Sequence, residues 1–318
     1  MAEALTERSG AIDLVRLIAV AAIVAGHAFS REVTGELLYT WHVPVFFILS
    51  GYLWKPGRAL RTELQRRWRS LGRPYVLWLA LLTIIMATMG FDDALDRVAG
   101  GAYGGGVAGM PYITLWFVST LFFTALLFRL IERLPLPARW LLALAGAGAG
   151  WAWGPALSDT PLGVGMALTC LIYLLIGDGL RRVRERLRHP AVLGVLLIAV
   201  SAVLVGTGVS RLIDVKQGQY GTPVLSLAVS AAISTGLILV AESVVRPGRF
   251  SRLCTVLALP LLTVVLMHPI FLWTPWPPAA TFAVGVLIPL AIGLLAMRTR
   301  AAPWFTGQVA WSQDQEER

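Results

Sequence analysis

The chain alternates between long apolar segments and short polar ones, and ten of the apolar segments have the length of a helix. A helix of about 20 apolar residues crosses the hydrocarbon core of a bilayer. The sequence therefore predicts an all-α, polytopic membrane protein with about ten transmembrane helices. In chain order, the predicted spans are residues 11–30, 38–54, 74–90, 112–131, 139–154, 162–179, 190–209, 223–241, 254–273 and 279–297.

The first predicted span carries Arg16 and His27, and the ten residues between them are uncharged. Eleven helical steps of about 100° bring both side chains to one face, about 16 Å apart along the helix axis. Ionisable groups inside a bilayer are costly and usually face a cavity or a partner. We therefore predict that both residues are functional.

Each of these two residues also has a purely structural interpretation. Arg16 could extend its head to the near membrane surface, and His27 could hydrogen-bond to a neighbouring helix. Their position on one shared face favours function. Asp13 lies three residues before Arg16 and is predicted to pair with it.

The basic residues are distributed unevenly between the two sides of the predicted spans. If the N-terminus is cytoplasmic, 22 of the 27 Lys and Arg residues lie in cytoplasmic segments and four lie in external loops. This imbalance satisfies the positive-inside rule and predicts that both termini are cytoplasmic. The expected location is the cell inner (cytoplasmic) membrane, with a membrane domain at residues 1–300 and a cytoplasmic tail at residues 301–318.

Composition excludes several other classes of protein. Hydrophobic residues make up 57% of the chain and charged residues 14%, against roughly 25% charged in a soluble domain. The net charge of +9 arises from the loops between spans, which argues against nucleic-acid binding. Cys170 and Cys254 lie in or beside apolar segments, and the chain has only four histidines, so no disulfide framework, metal site or cofactor is predicted.

The second predicted span contains an aromatic pair followed by Ser-Gly-Tyr. Together with the spacing in the first span, this order of motifs resembles the acyltransferase family 3 integral membrane proteins, and the short chain resembles their sugar O-acetylase branch. The matching residues are Arg16, His27, Phe46, Phe47, Ser50, Gly51 and Tyr52, followed by RRWRSLGRPY (66–75), LWF (115–117), DV…QYGTP (214–223) and LMHP (266–269).

The resemblance implies transfer of an acyl group from acyl-CoA to a hydroxyl, with His27 and Arg16 as catalytic residues. An imidazole can take the proton of the attacking hydroxyl, or it can carry the acyl group covalently, and the sequence allows both routes. The cationic segment between Lys55 and Arg73 suits the phosphates of the donor.

Further site residues follow from the resemblance and from the polar positions in the spans. At the donor site we expect Arg66, Arg69, Ser50 and Tyr52. The candidate cavity or acceptor residues are Asp13, His42, Trp116, Asp214 and His268.

The predicted function is transfer of an acyl group, foremost acetyl, from acyl-CoA to a hydroxyl of a glycan or glycolipid, with delivery across the membrane. A transporter or flippase for a lipid-linked or small polar substrate is the alternative, because ten helices with a polar midsection suit that class too. The expected partners are acyl-CoA, a hydroxyl acceptor and the lipid bilayer, with assembly into a homodimer left open.

Overall fold

The computed structural model describes residues 8–30, 34–89 and 93–311. Within these ranges the regular structure is helical, apart from one isolated bridge between Asp214 and Gln219, which confirms the all-α prediction. The α-helices are α1 (Gly10–Ala28), α2 (Pro44–Tyr52), α3 (Leu60–Arg67), α4 (Arg73–Met89), α5 (Ala94–Tyr103), α6 (Leu115–Ile131), α7 (Leu136–Ser158), α8 (Val164–Val183), α9 (Pro190–Gly206), α10 (Leu225–Val244), α11 (Arg249–Ala258), α12 (Leu261–Met267), α13 (Pro278–Ala296) and α14 (Ala302–Phe305).

Several of these helices are long and apolar enough to cross a membrane. In the described part of the chain there are five, or six when the bent pair α11 and α12 counts as one span. The segments 37–52, 115–131 and 190–206 are apolar but shorter. The protein is therefore a multi-pass membrane protein. Every predicted span overlaps a helix, while the count of ten spans and the orientation stay predictions.

The span predicted at residues 254–273 is broken in the structure. α11 and α12 meet at an angle of 41°, and a 3-10 turn, His268–Trp273, follows α12. Pro260 and Pro269 lie at these two breaks, and proline has no N–H to continue a helical hydrogen-bond ladder. The second break places His268 at the C-terminal end of α12.

The basic segment after α2 was expected as a loop, but most of it is helical. α3 continues through a π-helical turn, Trp68–Gly72, into α4. The Glu63 carboxylate, which is almost fully buried, accepts from Arg67 at 2.8 Å and from Arg129 of α6 at 3.2 Å. These ion pairs hold the segment in place, although its composition is typical of a solvated loop.

The helices α2 and α8 cross at backbone distance. A Cβ atom on Gly51 would overlap the carbonyl oxygen of Leu174, and one on Gly177 would overlap that of Ile48. Small residues allow membrane helices to approach at backbone distance. This contact accounts for the glycine in the Ser-Gly-Tyr motif and fixes the position of Ser50 beside it.

Candidate active site

Two histidines from distant parts of the chain meet inside the helix bundle. His27 is the penultimate residue of α1, and His268 follows α12 directly. Their nearest nitrogens, Nδ1 of His27 and Nε2 of His268, are 2.8 Å apart. The rings stack with centroids 5.1 Å apart, and His268 is fully buried while His27 is partly exposed.

The hydrogen-bond pattern determines which nitrogens carry hydrogen. Nδ1 of His268 lies 3.0 Å from the carbonyl oxygen of Val264. A carbonyl only accepts, so Nδ1 of His268 donates, and its Nε2 accepts from Nδ1–H of His27. In the neutral pair, the lone pair on the His27 imidazole is therefore on Nε2, the nitrogen suited to take a proton.

His27 lines a cavity of about 260 Å³, here named the histidine cavity. The histidine cavity is lined by four of the residues predicted to be functional, namely His27, His42, Trp116 and Asp214. The other polar or aromatic lining residues are Phe29, Tyr39, Thr114, Phe117, Lys216 and Gln217.

His42 and Asp214 are held in place by bonds to the backbone. Nδ1 of His42 lies 2.5 Å from the carbonyl oxygen of Leu38, and the ring meets Tyr39 edge to face at 4.9 Å. The Asp214 carboxylate accepts from the amide of Gln217 at 3.3 Å at the start of a short 3-10 turn. Both side chains are buried, so the cavity has fixed polar walls.

A second cavity of about 250 Å³, here named the arginine cavity, lies beside the N-terminal half of α1. Arg16 lines it, and the almost fully buried carboxylate of Asp13 accepts from Arg16 at 2.7 Å, which confirms the predicted pair. The other polar lining residues are Ser50, Arg66, Arg67 and Ser70.

Arg67 belongs to the predicted cationic segment between Lys55 and Arg73, but it was not singled out there as a donor-site residue. It donates to Ser50 at 3.2 Å and is braced by Glu63. The spacing of four residues between Glu63 and Arg67 is the signal that could have identified it, because such a pair shares one helix face.

Two predicted donor residues lie outside the arginine cavity. Arg69 is exposed and does not line it. The Tyr52 hydroxyl donates to the carboxylate of Glu242 at 2.8 Å, and Glu242 also pairs with Arg184 at 3.3 Å. Tyr52 thus joins α2 to α10.

One aromatic layer separates the two cavities. Phe117 lines the histidine cavity and Phe46 lines the arginine cavity, and their rings meet edge to face with centroids 5.3 Å apart. Along α6, Phe117 and Leu121 face different cavities although they are only about one helical turn, roughly 5.4 Å, apart.

These features define a multi-pass membrane protein with a histidine pair at one cavity and a cluster of arginines at the next. The chain belongs to acyltransferase family 3: the family model, described as an acyltransferase domain, matches residues 9–306. No curated protein and no solved structure shows a significant match to the chain. The family match supports a membrane acyltransferase and gives no support to the transporter alternative.

Proposed function

We propose that the protein is a membrane O-acyltransferase that moves an acyl group, in the simplest case acetyl, from acyl-CoA to a hydroxyl of a glycan or glycolipid. The observation that carries this proposal is the His27–His268 pair at a cavity separated by one aromatic layer from three arginines. A proton acceptor and a set of phosphate ligands at this spacing suit a donor that is charged at one end and reactive at the other.

The arginine cavity receives the donor. Arg16, Arg66 and Arg67 present guanidinium groups, which bind phosphate oxygens through paired hydrogen bonds. The slender arm of the donor extends past Phe46 and Phe117, so that the thioester reaches His27. The helices around this path keep water from the thioester.

The chemical step uses Nε2 of His27 as general base. The acceptor oxygen attacks the thioester carbon while its proton passes to Nε2. When the C–S bond breaks, the electron pair goes to sulfur, which takes the proton from the imidazolium and leaves as CoA. The products are the O-acyl ester and free CoA, and His27 returns to its neutral form.

The histidine cavity receives the acceptor. Trp116 and Tyr39 offer aromatic faces, and Asp214 offers a carboxylate, which suit the faces and hydroxyls of a sugar. With cytoplasmic termini, as the basic residues indicate, the donor enters from the cytoplasm and the acyl group leaves towards the outer half of the membrane.

The proposal is tested with protein reconstituted in liposomes that contain hexadecyl glucoside, supplied with radiolabelled acetyl-CoA. His27→Ala is expected to lower label transfer by about 10²-fold to 10⁴-fold, because it removes the proton-transfer group, and to leave acetyl-CoA binding unchanged in calorimetry. His189→Ala is the matched control, since His189 is exposed and lines neither cavity.

Two outcomes would overturn the proposal. One is wild-type turnover by His27→Ala. The other is a wild-type protein that neither binds acetyl-CoA nor transfers the label.

A further inference from the structure

The N-terminal end of α6 opens on the histidine cavity. Thr114, Trp116 and Phe117, from the cap and first turn of this 17-residue helix, all line that cavity. In this turn the amides of Leu115 and Phe117 bond to the carbonyls of Tyr112 and Thr114, and the helix dipole still places partial positive charge at this end. This end of α6 therefore suits a negative charge that develops beside His27.

Thr114 occupies the cap position of α6 but does not act as a cap. A threonine at this position normally accepts from an amide of the first turn; the side chain of Thr114 makes no such bond. The residue is only 3% exposed, and its hydroxyl oxygen is buried without a partner among the described residues. An unpaired buried hydroxyl is destabilising, which makes Thr114 a candidate for a functional role at the cavity.

We propose that the Thr114 hydroxyl and the first turn of α6 form the oxyanion site for acyl transfer. As the acceptor oxygen bonds to the thioester carbon, the π-electron pair of the carbonyl moves to the carbonyl oxygen. Thr114 donates a hydrogen bond to this oxygen, and the positive end of α6 stabilises its charge. When the C–S bond breaks, the electron pair returns and the carbonyl re-forms.

The unpaired state of the hydroxyl is part of this function. A threonine hydroxyl moves between staggered positions about χ1, and Thr114 can turn its hydroxyl towards the cavity without breaking an existing hydrogen bond. A hydrogen-bond donor stabilises a transition-state charge more strongly in a site that excludes water than in bulk water. In this scheme His27 takes the proton of the acceptor hydroxyl, and Thr114 donates a hydrogen bond to the carbonyl oxygen of the thioester.

The proposal rests on the proposed function and is tested in the same liposome assay. Thr114→Val keeps the shape of the side chain and removes the donor, and it is expected to lower kcat by about 10²-fold to 10³-fold. Affinity for CoA, measured by calorimetry, should not change. Thr114→Ser restores the hydroxyl and should recover most of the rate.

Thr124→Val is the matched control on the same helix. Thr124 is fully buried, lines neither cavity, and its hydroxyl donates to the carbonyl of Thr120 at 2.7 Å. It should turn over acetyl-CoA at the wild-type rate.

The proposal is wrong if Thr114→Val keeps the wild-type rate. It is also wrong if Thr114→Ser falls as far as Thr114→Val, since the residue would then act through packing. In both cases the wild type would still transfer label in a His27-dependent way, so the oxyanion site would fail and the proposed function would stand.

Discussion

His268 orients His27 without adding a charge to the interior of the protein. A carboxylate in the same position would have to be desolvated in the low-dielectric bundle, which is expensive unless further partners satisfy it. A neutral imidazole also orients His27, because it donates to the carbonyl of Val264 and accepts from His27. In the neutral pair both rings have definite tautomers.

His268 is therefore a positioning residue, and two substitutions separate this role from packing. Leucine removes the acceptor and should lower kcat by roughly 10-fold to 100-fold, the usual effect of losing a partner that orients a functional imidazole. Glutamine has an oxygen close to the place of Nε2 and should retain most of the rate. Steady-state kinetics of His268→Leu and His268→Gln give the comparison, with the KM for acetyl-CoA expected to stay constant; equal rates in the two variants would contradict the role.

The helix α2 contributes Phe46 and Ser50 to the arginine cavity, and its place depends on the glycines of its crossing with α8. Gly51 and Gly177 bring the backbones into direct contact, and Ser50 beside this contact accepts from Arg67. Bulk at the crossing would push α2 outward and move both Ser50 and Phe46. Local packing in this element therefore controls the geometry of the arginine cavity.

Two glycines of α8 test this role of the crossing. Gly177→Ala places a methyl group against the carbonyl of Ile48 and should destabilise the protein by about 1 to 3 kcal/mol, as overpacking does. Gly179→Ala, two residues further on, meets nothing within 4 Å and should be neutral or gain up to about 1 kcal/mol from helix propensity. The thermal midpoint in detergent measures both, and equal midpoints would show that the crossing tolerates the methyl group.

The elements differ in how far the sequence alone predicts them. Helical periodicity identified the shared face of Arg16 and His27, and short spacing identified the pair of Asp13 with Arg16, because both are local. The partner of His27 was beyond local reasoning, since His268 is 241 positions away. His268 was named as a cavity candidate, but its contact depends on the break after α12. Arg67 lies in the predicted cationic segment and its spacing from Glu63 is a local signal, but its contact with Ser50 of α2 forms only in the folded protein.

At the scale of the whole molecule, the edge-to-face contact of Phe46 with Phe117 lies between the arginine cavity and the histidine cavity. Each cavity has the chemistry for one substrate, with guanidinium groups in the first and imidazole, aromatic and carboxylate groups in the second. A layer one helical turn thick is thin enough for the donor arm to cross while the charged head and the acceptor remain on their own sides. We expect the two cavities to open to opposite faces of the membrane.

Single cysteines in each cavity test this expectation. The native Cys170 and Cys254 are both buried, so a variant in which both are serine provides a background. In it, Ser50→Cys reports on the arginine cavity and Gln217→Cys, at an exposed position, on the histidine cavity. A membrane-impermeant maleimide should label Ser50→Cys only in inside-out vesicles, and acetyl-CoA should protect it.

The same reagent should label Gln217→Cys only in right-side-out vesicles, and acetyl-CoA should leave that labelling largely unchanged. Labelling of both positions from one side would mean that the substrates share a compartment, and transfer across the membrane would be wrong. Labelling with the two sides exchanged would contradict the cytoplasmic termini, because the 22 basic residues would then face outward. If acetyl-CoA does not slow the labelling of Ser50→Cys, the donor does not bind in the arginine cavity. The role of Arg16 would then be its ion pair to Asp13.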